Sequence, residues 1–304
     1  MFSGASNFVQ GVDQAFFVII GISLIFLLGI TFGLIFFSIR YNKKKHPVAE
    51  PTVENTKLEI IWTVIPTLLV LAMFYYGWTG YRPMRNFPDN AIEIKATGKM
   101  WSWSFEYDNG KWDSILYVPV NKPVKLNLAS MDVLHSLYIP AFRIKEDVVP
   151  GGNNKMWFEA KKTGEYVIYC AEYCGVRHSK MLSKVIVLPE NEYTAWYNTK
   201  QKVDLNAMPG ELAIKKIGCN ACHTVDGNKL VGPSFKGLFG SNRKVNEDGK
   251  LVEVKADENY IKKSIREPNA QIVDGFPKGV MIQYKEQISD EEIQQIIDYI
   301  KTLK

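Results

Sequence analysis

The stretch Tyr-Cys-Ala-Glu-Tyr-Cys-Gly-Val-Arg-His-Ser-Lys-Met, residues 169–181, indicates a metal centre and not a hydrolytic site. It holds two cysteines four residues apart, then a histidine and a methionine, which are the soft donors that copper selects. Two thiolates on one loop can each bridge the same two metal ions, whereas a single blue-copper site needs only one cysteine. We therefore predict a two-copper electron-transfer centre.

A second histidine has to come from another part of the chain, and Asp-Val-Leu-His-Ser at residues 132–136 offers one. Weak outer ligands, here a thioether and a backbone carbonyl, tune the potential of such a centre. For the methionine, packing in the core is the alternative role. The candidate ligands are His135, Cys170, the carbonyl of Glu172, Cys174, His178 and Met181.

The use of cysteine and histidine supports this interpretation. The chain has 304 residues, four cysteines and four histidines, and all of these except His46 lie in metal-type motifs. Disulfides are the alternative for the CxxxC and CxxC pairs, but they leave the adjacent histidine and methionine without a role. The net charge of +5 is spread along the chain and gives no case for a nucleic-acid partner.

Two long uncharged runs predict a transmembrane helix hairpin in residues 1–82, with spans at about 15–39 and 60–81. The connection between them is rich in lysine, so the positive-inside rule puts both termini on the extracytoplasmic side. We interpret the first span as retained, because no basic region and cleavage site precede it. A processed precursor remains open, and buried helices of a soluble protein are the alternative.

Residues 83–195 predict a β domain. Alternating segments such as 91–96 and 123–128, separated by Gly, Pro and Asn, indicate a Greek-key sandwich or barrel. The copper loop lies between its last two strands, and His135 precedes a further strand. The two sources of ligands can therefore meet at one end of the barrel.

After a polar linker at 196–209, Gly-Cys-Asn-Ala-Cys-His at residues 218–223 matches the pattern of covalent haem attachment. Cys219 and Cys222 would form thioethers, and His223 would be the proximal iron ligand. A zinc ribbon would need a second CxxC, and a thioredoxin-like pair would need a βαβ pattern. Met281 is the only methionine after His223 and is the candidate sixth ligand. Packing of Met281, a lysine ligand and an open site remain alternatives.

A helix with a capping box closes the chain. Ser289 and Glu292 form the box, and an isoleucine-rich face follows it. This helix should pack against the one before Cys219. We predict a small all-α haem domain at residues 210–304.

Together these features resemble cytochrome c oxidase subunit II with a fused class I cytochrome c, as in caa3-type oxidases, over essentially the whole chain. The resemblance implies a cupredoxin-like fold for the β domain. It depends on the copper and haem motifs already quoted, and on three further stretches. These are Leu-Glu-Ile-Ile-Trp-Thr-Val-Ile-Pro at 58–66, Trp-Ser-Trp-Ser-Phe-Glu-Tyr at 101–107 and Gly-Pro-Ser-Phe-Lys-Gly-Leu-Phe-Gly at 232–240.

The resemblance implies that the six candidate ligands bind the binuclear CuA centre. It also implies that the Glu172 carboxylate reaches a magnesium ion at the interface with subunit I. Trp101 would be the point of electron entry, with barrel core as the alternative. Glu59 would lie at the mouth of a proton channel, with a solvated interfacial charge as the alternative.

The implied function is electron input to a haem–copper oxidase of the bacterial cytoplasmic membrane. Electrons would pass from a c-type cytochrome or respiratory complex to haem c, CuA and subunit I, where oxygen is reduced to water with proton translocation. Subunits I and III are the implied partners. A CuA-bearing nitric oxide reductase subunit and a membrane-anchored copper chaperone are the alternatives. A quinol oxidase subunit is disfavoured, because such relatives lack the copper ligands.

Overall fold

The computed structural model describes residues 4–48, 53–199, 208–284 and 288–304. Two long apolar helices open the chain, α1 (Val9–Arg40) and α2 (Thr56–Tyr81), and neither buries a side chain within the protein. Both extend beyond the predicted spans. They approach closely at Gly80, where an added Cβ would lie 3.3 Å from the carbonyl oxygen of Gly11. The predicted two-helix hairpin is confirmed.

Ten strands follow and form two five-stranded sheets. The first sheet has the order β3-β2-β1-β5-β8 and the second the order β4-β10-β9-β6-β7. The strands of the first sheet are β1 (Ile92–Lys99), β2 (Ser102–Tyr107), β3 (Trp112–Asp113), β5 (Pro123–Ser130) and β8 (Asn154–Glu159). Those of the second are β4 (Leu116–Pro119), β6 (His135–Ile139), β7 (Ile144–Val148), β9 (Gly164–Cys170) and β10 (Leu182–Leu188).

The core of the β domain lies between the two sheets. Ile94 on β1 pairs with Leu126 on the parallel strand β5, and both side chains are fully buried. Leu116 and Val185 form the equivalent parallel pair between β4 and β10. In β2 and β5 alternate residues face this core, as the period-2 pattern predicted, whereas four of the five residues of β6 are buried. The expected sandwich is confirmed.

The membrane hairpin is attached to the β domain at both of its ends. Before α1, Ala5 and Phe8 are buried in the β-domain core. In the first turns of α1, Asp13 accepts a hydrogen bond of 2.7 Å from Arg143 Nε. After α2, Arg85 forms an ion pair of 2.8 Å with Glu146. These contacts fix the sandwich relative to both helices.

Helix α3 (Glu190–Asn198) packs on the sandwich through its aromatic residues. The ring of Trp196 stacks on Tyr117, with 4.4 Å between centroids, and meets Tyr107 edge to face. Residues 196–198 of the expected linker are therefore helical and packed on the β domain. The part of the linker at 200–207 lies outside the described residues.

The C-terminal unit contains α4 (Pro209–Ile217), α5 (Glu258–Arg266) and α6 (Asp290–Thr302). It also carries a small sheet that the sequence analysis did not predict, of β11 (Asn242–Glu247), β12 (Lys250–Lys255) and β13 (Ile272–Val273). Asp248 and Gly249 both have positive φ and make the turn between β11 and β12. An Asp-Gly pair is a strong hairpin signal, so the sequence did carry a sign of this sheet.

The capping box at the start of α6 is confirmed. The Ser289 hydroxyl accepts from the Glu292 amide at 3.1 Å, and the Ser289 amide donates to the Glu292 carboxylate at 2.9 Å. Four isoleucines of α6 are buried, as its periodicity predicted: Ile293, Ile296, Ile297 and Ile300.

The contact between α4 and α6 depends on the absence of a side chain at Gly210. An added Cβ there would lie 1.9 Å from the carbonyl oxygen of Gln295. We expect Gly210→Ala to destabilise the C-terminal unit by about 1–3 kcal/mol, because the two helices must move apart. Thermal unfolding followed by haem absorbance measures this, with Lys216→Ala on the exposed side of α4 as the control. An unchanged melting temperature for Gly210→Ala would contradict the close approach.

Candidate metal and cofactor sites

Two cysteine sulfurs meet at one end of the sandwich. Cys170 ends β9 and Cys174 lies in the loop after it, and their Sγ atoms are 3.7 Å apart. Both residues are buried. The Met181 Sδ lies 3.7 Å from Cys174 Sγ, and the Glu172 carbonyl oxygen lies 3.2 Å from Cys170 Sγ. The two sulfurs are therefore close enough to share metal ions, with a weaker donor beside each.

The two histidines flank this sulfur pair, one beside each cysteine. His135 opens β6, which pairs with β9, and its Nδ1 lies 3.9 Å from Cys170 Sγ. His178 follows in the loop, and its Nδ1 lies 3.5 Å from Cys174 Sγ. Each imidazole thus presents the same nitrogen to the sulfurs.

All six predicted donors form one cluster, and their chemistry fits copper. Thiolate, thioether and imidazole are the donors that select copper, and two sulfurs in one cluster suit two metal ions. The sulfurs of Cys170 and Cys174 and a ring nitrogen of His135 lie within 4.8 Å of one another. The copper-chaperone alternative required a βαβ pattern, and the sheets of the described β domain give it no support. The role of each ligand remains a prediction.

Asp132 is a functional residue that the sequence analysis missed. Its Oδ1 lies 2.7 Å from His135 Nε2, and its Oδ2 accepts from the Met100 amide at 2.8 Å. Such a carboxylate fixes the imidazole tautomer and leaves Nδ1 for the metal. A carboxylate three residues before a candidate histidine ligand was the available signal.

Hydrogen bonds and burial shift the pKa values of this cluster. Burial opposes the charged imidazole, but the bonds to Asp132 and Cys170 outweigh it and raise the pKa of His135 to about 9. Burial alone would raise the pKa of Cys170, but its hydrogen bonds to His135 and to backbone groups outweigh burial and lower that pKa. Burial and the neighbouring sulfur raise the pKa of Cys174. Cys170 is therefore the more readily ionised of the two thiols in the metal-free protein.

We expect Asp132→Asn to weaken copper binding by about 10- to 100-fold, because the imidazole loses the carboxylate that orients it. Titration of the metal-free protein with copper measures this, and Asp108→Asn, an exposed aspartate of the same domain, is the control. Unchanged copper affinity in Asp132→Asn would contradict the orienting role.

The same variant should change how stability depends on pH. The folded pKa of His135 lies above its ordinary value of 6.5. Its proton therefore stabilises the metal-free fold fully below about pH 6.5, and this stabilisation is lost as pH rises through about 9. Melting temperatures across this range should fall more steeply for the unmodified protein than for Asp132→Asn.

Trp101 contacts the copper loop directly. Its indole Nε1 donates to the Cys174 carbonyl at 3.0 Å, and the side chain is buried. The ring therefore fills the core and also touches a candidate ligand residue, so both predicted roles remain compatible with its position.

Of the two other acidic candidates, Glu59 is exposed and Glu172 is half-buried. The Glu172 carboxylate accepts from Lys145 Nζ at 3.2 Å. Glu59 is in the first turn of α2, after the Asn55 cap that accepts from the Leu58 amide. An acid in a first helical turn also interacts favourably with the helix dipole. The structure brings neither carboxylate to the copper cluster.

A largely apolar cleft in the C-terminal unit joins the haem candidates. Cys219, Cys222, His223 and Met281 all line it, among aliphatic and aromatic side chains. The cleft encloses about 1310 Å³ of space, including its open mouth. An apolar cleft with two thiols, an imidazole and a thioether fits a covalently held haem.

His223, the predicted proximal ligand, is held in place by three neighbours. His223 Nδ1 lies 2.7 Å from the Pro233 carbonyl oxygen, which leaves Nε2 for iron. The ring stacks on Phe235 with 4.7 Å between centroids. A Cβ at Gly232 would lie 2.5 Å from His223 Cε1, so only glycine fits beside the ring.

Three family models match the chain. The model for the transmembrane domain of cytochrome c oxidase subunit II matches residues 1–78, and the model for its periplasmic domain matches 109–189. The cytochrome c model matches residues 207–304.

Known proteins resemble the chain over most of its length. A cytochrome c oxidase subunit 2 of Alkalihalophilus pseudofirmus is 32% identical, over 94% of this chain and 86% of that protein. A probable subunit 2 of Rickettsia prowazekii is 28% identical, over 66% of this chain and 71% of its own length. Among solved structures, the periplasmic domain of subunit II of the Bradyrhizobium japonicum cytochrome oxidase is 36% identical. It covers 38% of this chain and 98% of its own, with a TM-score of 0.36.

Proposed function

Because the chain belongs to the cytochrome c oxidase subunit II family and carries a cytochrome c domain, we propose that it is the electron-entry subunit of a haem–copper oxidase. Electrons would pass from a donor through haem c to the CuA centre, and then to subunit I. There oxygen would be reduced to water with proton translocation. The donor would be a c-type cytochrome or a respiratory complex.

The observation that carries this proposal is the sulfur pair. Two buried sulfurs 3.7 Å apart, each with an imidazole nitrogen within 4 Å, form a donor set for two copper ions. When bound, the copper pair supplies a one-electron site whose charge is shared over both metals.

The residues of the chain hold and shield this donor set. β6 and β9 fix His135 and Cys170 at neighbouring positions of one sheet, and Asp132 holds the imidazole. Met181 is fully buried, with its sulfur beside Cys174 Sγ. A rigid and dry site limits the reorganisation that accompanies electron transfer. We propose His135, Cys170, the Glu172 carbonyl, Cys174, His178 and Met181 as the copper ligands.

On the haem side, Cys219 and Cys222 would hold the porphyrin, and His223 would bind the iron through Nε2. Met281 lines the same cleft and is the proposed sixth ligand. A methionine ligand raises the potential of a c-type haem, which suits an electron carrier. The largely apolar lining of the cleft would limit the contact of the group with water.

The chain is anchored by two membrane-spanning helices. We infer that the connection between them is cytoplasmic and that the copper and haem units lie outside a bacterial cytoplasmic membrane. The cluster of Arg40, Lys43, Lys44 and Lys45 supports this orientation.

Subunit I would receive the electron, and we infer subunit III as a further partner. We propose that the Glu172 carboxylate reaches a magnesium ion at the subunit I interface and that Glu59 lies at a proton-channel mouth there. Glu59 is exposed and the Glu172 side chain is 41% exposed, so a partner could reach both acids, which supports these assignments. Trp101 is proposed as the point of electron entry because it touches the Cys174 carbonyl.

Oxygen consumption by the purified complex tests the function. With a reduced c-type donor, the complex should consume oxygen, and each chain should contain two copper ions and one covalent haem. The electron spin resonance spectrum should show one unpaired electron shared by two copper nuclei. A complex that reduces nitric oxide but not oxygen, or a site that holds zinc or a single copper, would overturn the proposal.

A further inference from the structure

The haem cleft is closed on one side by the copper-binding domain. Lys99 and Met100, at the end of β1, line the cleft together with Cys219 and Cys222. Cys222, Val231 and Val280 of the C-terminal unit pack against the core of the β domain. In the reverse direction, Met131 packs against the core of the C-terminal unit. The two units therefore meet at the edge of the cleft that carries Cys219 and Cys222.

Two polar contacts tie the units together. Lys99 Nζ donates to the Tyr284 hydroxyl at 3.0 Å, and both residues are buried, Lys99 being only 5% exposed. Arg177, in the copper loop, donates to the Ala221 carbonyl inside the haem motif. Gly218 permits the approach, because a Cβ there would lie 3.0 Å from Lys99 Nζ.

The same short segment also touches the copper cluster. Met100 lines the haem cleft, and its amide donates to Asp132, which holds His135. Trp101 donates to the Cys174 carbonyl. Residues 99–101 thus run from the haem cleft to the copper cluster, where they contact Asp132, which holds His135, and the carbonyl of Cys174.

We propose that Lys99 is a positioning residue that docks the cytochrome unit onto the copper-binding domain through Tyr284, and that this docked arrangement transfers the electron. The second half of this inference rests on the proposed function. A small contact suffices, because a short tether between the units gives an effective concentration on the order of mM. Loss of one hydrogen bond to a buried charged group should then shift the docking equilibrium by about tenfold or more.

Acetylation of lysines in the full chain, loaded with copper and haem, tests the docking. With N-hydroxysuccinimide acetate as the probe, Lys99 should react at least about tenfold more slowly than Lys95, an exposed lysine on the same strand. Burial lowers the pKa of Lys99, which alone would speed its acetylation. A slow reaction therefore shows that the reagent cannot reach the Lys99 amine.

Two variants should expose Lys99 by different routes. Tyr284→Phe removes only the hydroxyl partner, and Arg177→Gln removes the other contact without touching Lys99. Each should raise the acetylation rate of Lys99 by about tenfold and leave Lys95 unchanged. Tyr299→Phe, in the same unit, is the control. Rapid acetylation of Lys99 in the unmodified chain, or no change in either variant, would overturn the docking.

Electron transfer gives a separate measurement. After flash photoreduction of the haem, the rate of copper reduction should fall in Tyr284→Phe and Arg177→Gln and stay unchanged in Tyr299→Phe. If Lys99 is acetylated slowly but the unmodified chain shows no electron transfer from haem to copper, the proposed function is refuted and the docking is still supported. Fast transfer that is insensitive to both variants would refute Lys99 as the residue that positions the units.

Discussion

Cys174→Ser should remove the two-copper centre. Cys174 Sγ lies 3.5–3.7 Å from His178 Nδ1, Met181 Sδ and Cys170 Sγ, so it is the sulfur shared by most of the donors. A serine hydroxyl does not ionise at neutral pH and cannot bridge two copper ions. Removal of a residue that only orients a ligand lowers metal affinity or activity by about 10- to 100-fold, so removal of a proposed sulfur ligand should lower oxygen consumption at least about a hundredfold.

Metal analysis and electron spin resonance of the purified complex measure the loss. Copper should fall below two per chain, and the signal shared by two nuclei should disappear. Val176→Ala is the matched control, because Val176 lies in the same loop and its side chain is 75% exposed. Retention of two coppers and of the shared signal in Cys174→Ser would show that the sulfurs do not bridge the metals.

His223→Ala should have the second large effect. It removes the proposed proximal ligand and leaves a cavity between Phe235 and Gly232, which contact the ring from two directions. Donor-driven oxygen consumption should fall by at least about a hundredfold, because even residues that only orient a ligand are worth about 10- to 100-fold. The C-terminal unit should also melt at a lower temperature, since its core packs around the cleft.

Haem absorbance and oxygen uptake with two reductants separate the causes. Uptake with a reduced c-type donor should be lost, whereas uptake with a small one-electron reductant that reaches copper directly should persist. His46→Ala is the matched control, because His46 lies in the connection between the two membrane helices and outside every proposed site. Loss of both activities in His223→Ala would point to failed assembly instead of a missing electron carrier.

Most members of the two donor sets could be predicted because they are close in sequence, whereas His135 and Met281 were inferred because few other histidines or methionines were available. Cys170, Cys174, His178 and Met181 lie within one loop, and the haem attachment residues lie within five positions. The membrane hairpin and the α6 capping box are equally local. In each of these cases, the spacing of a few residue types determines the geometry almost alone.

The contacts between distant parts of the chain could not be predicted in this way. Lys99 and Tyr284 are separated by 185 positions, and neither belongs to a motif. The burial of Ala5 in the β domain depends on how the chain folds back over residues 141–161. The β11–β12 hairpin was missed for a different reason, since its Asp-Gly turn was visible but a helical domain was expected around it.

The attachment of the hairpin at both of its ends has a consequence for distance. The ion pairs of Asp13 with Arg143 and of Arg85 with Glu146 hold the sandwich against the ends of both helices. These contacts, with the buried Ala5 and Phe8, restrict tilting of the sandwich on its two helices. Under the proposed function, restricted tilting would limit variation in the distance between the sulfur pair and the acceptor of its electron.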